Sequence, residues 1–437
     1  MHGGKRVLRV FLYSILLLLG LLGSQWLPGL IGPDYGKVGD VVRVLTMVGL
    51  SFIMIHVGYE FDIDKSNLRQ YGWDYVVAFT AASFPWVFVT GYFVFVLLPP
   101  DAWRTMEAWQ ETLLAGRFAA PTSAGVLFSM LAAAGLGATW LFGKARILAI
   151  FDDLDTVLLM IPLKMLMVGV AWQLGLVVLV MAGMLAVAFV LMHKVSIPAT
   201  WPWVTAYAVL IAGLSELLYK GSKVIDESVP IHIEVLLPAF VVGCIIAYPK
   251  KGSSQSEALH SVGEKRAAAI VAALFMVLVG LSMPIIFAPG LALQGGAMTE
   301  SVEPTLRAAG TPTAEATAAK VGQASQMGRI TASQPPMRWT ELVFHVLVVT
   351  VVSNLGKMFP AFCSRREAHW RGRVAVAVGM WPRGEVGAGV LVISLSYGIG
   401  GPVVTVAMLS LALNLLLTGA FIYWVKRLTA PLPDYKS

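Results

Sequence analysis

The sequence predicts an all-α polytopic membrane protein of about 12 transmembrane helices, in which two broken helices of opposite direction, 4 and 11, follow the pattern of inverted repeats. Three observations carry this. Apolar residues make up 57% of the chain and charged residues 13%, with a mean hydropathy of +0.75, about half the charge of an ordinary soluble domain. Apolar runs long enough to cross a hydrocarbon core, roughly 20 residues, recur along the whole length. Basic residues between the runs alternate between rich and poor segments, as positive-inside topology requires.

In order, the spans are 7–23, 41–59, 73–98, 109–136, 141–168 and 172–192, then 201–218, 231–247, 266–287, 339–362, 374–397 and 402–425. The first follows Lys5, Arg6 and Arg9 like a signal peptide, but no small-residue cleavage site succeeds it, so it reads as a retained helix. With that end inside, the inner segments hold Lys65, Arg69, Lys144, Arg146, Lys194, Lys250, Lys251, Lys265, Arg266, Arg365, Arg366, Arg371, Arg373 and the last three lysines and arginines. The tally is roughly 19 basic residues inside against 8 outside. Both termini are therefore expected on the cytoplasmic side.

The formal charge of +7 reads as this topology, and no nucleic-acid partner is implied. Cys244 and Cys363 have neither a disulfide framework nor a metal-ligand spacing. No G-x-G-x-x-G fingerprint is present, no cofactor is expected, and no soluble domain is expected after helix 12. The segment 288–338 is Ala/Gly/Thr-rich and polar, and reads as a long, poorly ordered external loop.

Two spans are interrupted. Helix 4 contains RFAAPTSAG, 117–125, and helix 11 contains GMWPRGEVGAG, 379–389. Proline removes a backbone donor and glycine loosens the chain. Irregular backbone at membrane depth persists where protein or a cavity satisfies it. The two helices run in opposite directions, which is the pattern of inverted-repeat transporters with a midplane site.

Helix 5 carries AIFDDLDTVLLM, with Asp152, Asp153 and Asp155 in four positions. Asp153 lies seven residues beyond Arg146, roughly 10 Å deep at 1.5 Å per residue. Lys357 on helix 10 lies eight residues short of Arg365, roughly 12 Å deep by the same rise. A buried carboxylate either neutralises or finds a cation. One static Asp–Lys bridge needs one aspartate, and the surplus points to exchangeable positive charge. Adjacent helical positions diverge by about 100°, so one of Asp152 and Asp153 can meet a lysine while the other faces a cavity. Asp155 returns toward the Asp152 side, with Thr156 just beyond. Thr122 and Ser123 at the helix 4 break add hydroxyl oxygens, which suit a hard cation. Arg383 opposes the positive half-helix ends at the break and is expected to form a structural charge pair with Glu385 or another acid. Asn354, one turn from Lys357, is expected to orient it. His56 reads as a packing residue and Lys164 as a snorkelling one; His232 and Glu234 read as interfacial; Glu60 and Asp62 cap or gather cations at the inner mouth, and Arg117 is expected to pair with an acid.

VGYEFD, PTSAG, IFDDL, LGKMFPAF and WPRGEVG, in this order and spacing, resemble the motifs of the bacterial monovalent cation/proton antiporter superfamily, in particular its second branch of electrogenic paired-aspartate Na+/H+ antiporters. The resemblance implies scaffold and dimer helices 1–2 in 1–70, core helices 3–5 in 71–170, linking helices 6–7 in 171–220, scaffold helices 8–9 in 221–287, the loop 288–338, and core helices 10–12 in 339–437. It implies Asp153 as the main ion- and proton-binding carboxylate, Asp152 as its partner bridging to Lys357 when no cation is bound, and Thr122, Ser123, Asp155 and Thr156 along the ion path. The metal these aspartates hold is the transported cation, Na+ or Li+, with K+ as the alternative. A homodimer in the bacterial inner membrane, exchanging cation for protons electrogenically by alternating access, completes the expectation. Asp155 and Ser123 depart from the usual pattern. An intramembrane aspartyl protease is the remote alternative; its two aspartates must face each other across a water, whereas consecutive residues on one helix diverge.

Overall fold

The computed structural model describes residues 2–31, 35–61, 68–168, 172–225, 235–248, 261–283, 328–335, 337–365 and 367–430. Helices account for nearly all of them: α1 His2–Ile31, α2 Tyr35–Tyr59, α3 Leu68–Tyr92, α4a Met106–Gly116, α4b Ala124–Ala133, α5 Trp140–Val168, α6 Trp172–Leu191, α7 Trp201–Ile225, α8 Leu236–Ile245, α9 Val262–Leu281, α10 Trp339–Gly356, α11a Trp370–Gly379, α11b Glu385–Ser396 and α12 Gly401–Thr429. One wider turn, Phe93–Leu97, prolongs α3.

Among the described residues, six helices are long and apolar enough to cross a membrane: Val10–Ile31, Lys37–Tyr59, Arg69–Leu97, Trp201–Ser222, Trp339–Phe362 and Gly401–Thr429. The other spans fall short of that description for visible reasons. Helix α5 has the length, at 29 residues, but carries Lys144, Arg146, Asp152, Asp153, Asp155 and Lys164. Helices 4 and 11 are each divided into halves shorter than a bilayer crossing. Helix α8 is shorter than its apolar run, and residues 231–234, including His232 and Glu234, lie outside the described residues. The start of α9 is earlier than hydropathy indicates, because the Ser261 hydroxyl accepts from the Glu264 amide and caps the helix at Val262. Most of the 288–338 loop lies outside the described residues, as do Asp62 and the side chain of Lys164. Its last part contains a helical turn, Arg329–Ala332.

The chain forms two compact units. One comprises Met1–Val76, Ala124–Ser282 and Leu432–Ser437; the other comprises Val77–Ser123 and Met283–Pro431. The boundary passes through α3 and through the break in helix 4.

In the first unit, two helix pairs cross at glycines. A Cβ on Gly20 or Gly280 would strike the backbone of the partner helix in the α1–α9 pair. Gly58 and Gly243 do the same in the α2–α8 pair. Without side chains the backbones approach closely, the usual route to tight packing where lipid removes the hydrophobic drive. Phe275 of α9 fills the space against Gly49 of α2 and Gly125 of α4b. In the second unit, Pro85 of α3 meets Gly356 at the end of α10, and Thr350 of α10 hydrogen-bonds Ser410 of α12 at 2.9 Å.

Candidate ion- and proton-binding residues

In the first unit, α5 stays regular through its acidic stretch. Asp152 and Asp155 are 0% exposed, Asp153 4% and Thr156 3%. The Thr156 hydroxyl donates to the carbonyl of Asp152 at 2.8 Å, so toward other groups it offers oxygen lone pairs. By helical geometry Asp155 lies within about 40° of Lys144 and Phe151, while Asp153 points about 160° away from Asp155. Contacts agree with that wheel. Lys144 Nζ donates to Asp74 Oδ1 at 2.6 Å, both nearly fully buried. The Tyr75 ring meets Phe151 edge-on at 5.5 Å, and Tyr75 interacts with the Asp155 carboxylate. Asp155 thus belongs to a polar seam between α3 and α5, on the face of α5 turned away from Asp153.

The Asp74–Lys144 pair escaped the sequence reading, which assigned Lys144 to the cytoplasmic surface. Asp74, at the first turns of an otherwise apolar span, was the available signal.

In the second unit, α4a ends in a tight turn, Arg117–Ala119, and residues 120–123 leave the helix. Helix 11 is open from Met380 to Gly384. The two breaks cross: Ser123 N donates to Pro382 O at 2.9 Å and Thr122 Oγ1 to Met380 O at 3.1 Å. Each interruption satisfies the other's exposed backbone, as membrane depth demands. Lys357, 0% exposed at the C-terminal end of α10, donates from Nζ to Thr122 Oγ1 at 3.0 Å. Because Met380 O takes the Thr122 proton, the hydroxyl presents a lone pair to the ammonium. Lysine at a helix C-terminus also meets the negative end of the helix dipole.

Arg383, also 0% exposed, binds both breaks and α10. Nε donates to Ala119 O at 2.9 Å, Nη1 to Asn354 Oδ1 at 2.7 Å and Trp381 O at 3.1 Å, and Nη2 to Ser353 O at 3.0 Å. Sequence reasoning paired it with Glu385, whose side chain lies outside the described residues. Unraveled helix ends expose carbonyls, and a planar guanidinium collects several at once. Asn354 requires a correction: its side-chain oxygen serves Arg383, and its backbone carbonyl accepts from Lys357 N at 3.1 Å. Arg117, 0% exposed, lies with Cζ 4.7 Å over the Trp86 ring, a cation–π contact that sequence reasoning did not anticipate.

Glu111, on α4a, was also missed. Its carboxylate is fully buried and accepts from Gly328 N at 2.9 Å, Ile330 N at 3.3 Å and Thr331 N at 2.8 Å. An acid inside an apolar span was a signal, but its partners are amides of the loop expected to be disordered.

A family model described as sodium/hydrogen exchanger, transmembrane, matches residues 3–428. The chain belongs to the sodium/hydrogen exchanger family. It is a multi-pass cation/proton antiporter, a transporter and not an enzyme. No curated protein sequence matches it. Among solved structures it is similar to the sodium proton antiporter MjNhaP1 from Methanocaldococcus jannaschii, with 14% identity, a TM-score of 0.51, and coverage of 93% of this chain and 92% of that chain. That likeness shows the shared fold.

Proposed function

We propose that this exchanger moves Na+ or Li+ against protons, with both cargoes competing for Asp153 and its neighbour Asp152. The burial of three carboxylates on one regular helix carries the reading. An ionised carboxylate without a counter-charge is expensive at this depth, so the aspartates favour states in which a cation or protons neutralise them, and the empty charged state resists passage. Lys357 is the salt-bridge and proton partner in the cargo-free state. Thr122, Ser123 and Thr156 line the ion path, Asp155 stands aside from it in the seam with Tyr75, and Arg383 and Glu385 are structural. Release of a proton from the lysine as well as from an aspartate makes the exchange electrogenic. Core helices 3–5 and 10–12 move against scaffold helices 1, 2, 8 and 9 to alternate access. The protein works as a homodimer in a bacterial inner membrane with both termini cytoplasmic; no cofactor or nucleic acid enters. The test is proteoliposomes bearing an imposed pH gradient, with Na+, Li+ or K+ added in turn and a pH dye followed. Dequenching by Na+ and Li+ is expected. A response to K+ alone identifies a K+/H+ antiporter instead, and no response to any of the three overturns the reading.

A further inference from the structure

In the second unit the two interrupted helices meet twice. One meeting is the crossing at the breaks, where Ser123 and Thr122 bond to Pro382 and Met380 and a Cβ on Gly387 of α11b would press on Phe118 O. The other lies away from the breaks and is indirect. Glu111 stands seven residues before Phe118, about 10 Å back along helix 4 at 1.5 Å per residue. Gly398 stands eleven residues after Gly387, about 16 Å on by the same rise and just past the end of α11b. Between them runs one short strap of chain, residues 328–331, from the end of the 288–338 segment.

The strap is held on both sides. Toward α4a, the Glu111 carboxylate accepts from the amides of Gly328, Ile330 and Thr331 at 2.9, 3.3 and 2.8 Å. Toward the turn between α11b and α12, Gly400 N donates to Thr331 Oγ1 at 3.4 Å. A Cβ on Gly328 would strike Gly398 O, and one on Gly401 would strike Thr331 O. Gly328 and Gly401 adopt φ 89 and 62, a region that glycine enters without strain, so the two backbones lie directly against each other. Glu111 and Thr331 are 0% exposed. The backbone of α4a has no need of a side-chain carboxylate, and burying one is costly unless it is hydrogen-bonded. A carboxylate suits three amides that converge on it, because both its oxygens accept, whereas a glutamine turns donors toward donors.

We propose that Glu111 is a positioning residue of the transport cycle: through residues 328–331 it ties α4a to the turn between α11b and α12, and so holds the two interrupted helices at a second point beyond their crossing. The crossing by itself joins two irregular segments through a few hydrogen bonds. With the strap in place α4a and α11b keep their spacing, and Thr122 stays where Lys357 Nζ and Met380 O meet it. Both broken helices then act in transport as a single piece. The role is the same whichever carboxylate of α5 carries the cargo.

Three variants of the full-length protein test this. Glu111→Ala removes the anchor, Glu111→Gln keeps its shape with fewer acceptors, and Gly328→Ala leaves the carboxylate but forces the strap off Gly398. Hydrogen exchange at amides 328–331 reports the tie. Cation-dependent dequenching in vesicles, scaled to the monodisperse folded protein and driven by whichever of Na+, Li+ and K+ the parent answers to, reports the cycle. Protection should fall about tenfold or more in both alanine variants, the loss of more than one hydrogen bond, and by less in Glu111→Gln. The maximal exchange rate should fall about tenfold in the alanine variants and by less in Glu111→Gln, as misplacement remote from the chemistry does. The half-saturating cation concentration should stay within about twofold, because Glu111 binds amides and not cargo. Protection that survives in Glu111→Ala denies the anchor. Lost protection with the parent's rate reduces the strap to packing and overturns the proposal. So does a rate loss in the Glu111 variants that Gly328→Ala, with its strap released, does not share, or a half-saturating concentration that rises in step with the loss. Where Glu111→Ala fails to fold, Glu111→Gln and Gly328→Ala carry the same comparison, and each should lose protection and rate together.

Discussion

In the first compact unit, Asp152, Asp153 and Asp155 lie on an unbroken helix whose backbone bonds are internal; in the second, Arg117, Lys357 and Arg383 lie at breaks or helix ends. The contrast follows from backbone chemistry. A broken helix exposes carbonyls, which only donors can satisfy, so fixed cations collect there. Arg383 holds three carbonyls and one amide oxygen, and its removal leaves them all. An intact helix requires no help from its side chains, so nothing in the backbone of α5 explains the burial of three acids. Arg383 answers to architecture, and for the acids of α5 the reason we propose is exchangeable cargo.

The largest expected effect separates these roles. Asp153→Asn should reduce cation-dependent dequenching in vesicles to background while the protein keeps its fold and thermal midpoint, because a neutral amide is easier to bury than a carboxylate. Lys357→Ala should instead retain measurable exchange with the voltage dependence lost. Undiminished dequenching in the first variant, or unchanged currents in the second, breaks the proposed division.

Arg383→Ala should act mainly on stability, costing about 3–5 kcal/mol because buried partners lose their counterpart. Arg383→Lys should recover only part of this, since an ammonium lacks the planar fork. Thermal unfolding in detergent measures both, and a small loss for the alanine variant would deny the arginine its structural role.

The smallest effects test the helix crossings. Gly58→Ala places a methyl against the Phe240 carbonyl and should destabilise by about 1–3 kcal/mol. Gly183→Ala, on α6 with open space around it, should be neutral or stabilise by up to about 1 kcal/mol. Equal midpoints for the two variants would mean that α2 and α8 do not depend on close approach.

The sequence by itself determined the membrane-spanning, all-helical class, the two interruptions and the acidic stretch of α5. Each is local: a run of apolar residues, a proline among glycines, or a carboxylate at an expensive depth can be recognised without knowing its neighbours. Tertiary structure decided the partners. Arg383 turned to carbonyls and Asn354, Arg117 to Trp86, Asp155 to the seam with Tyr75, and Glu111 to the amides of residues 328–331. Sequence reasoning sought an acid for Arg117, Lys357 and Arg383, because formal charges are written in the chain. The carbonyls released where a helix breaks are not, and they exist as acceptors only once the backbone has taken its path.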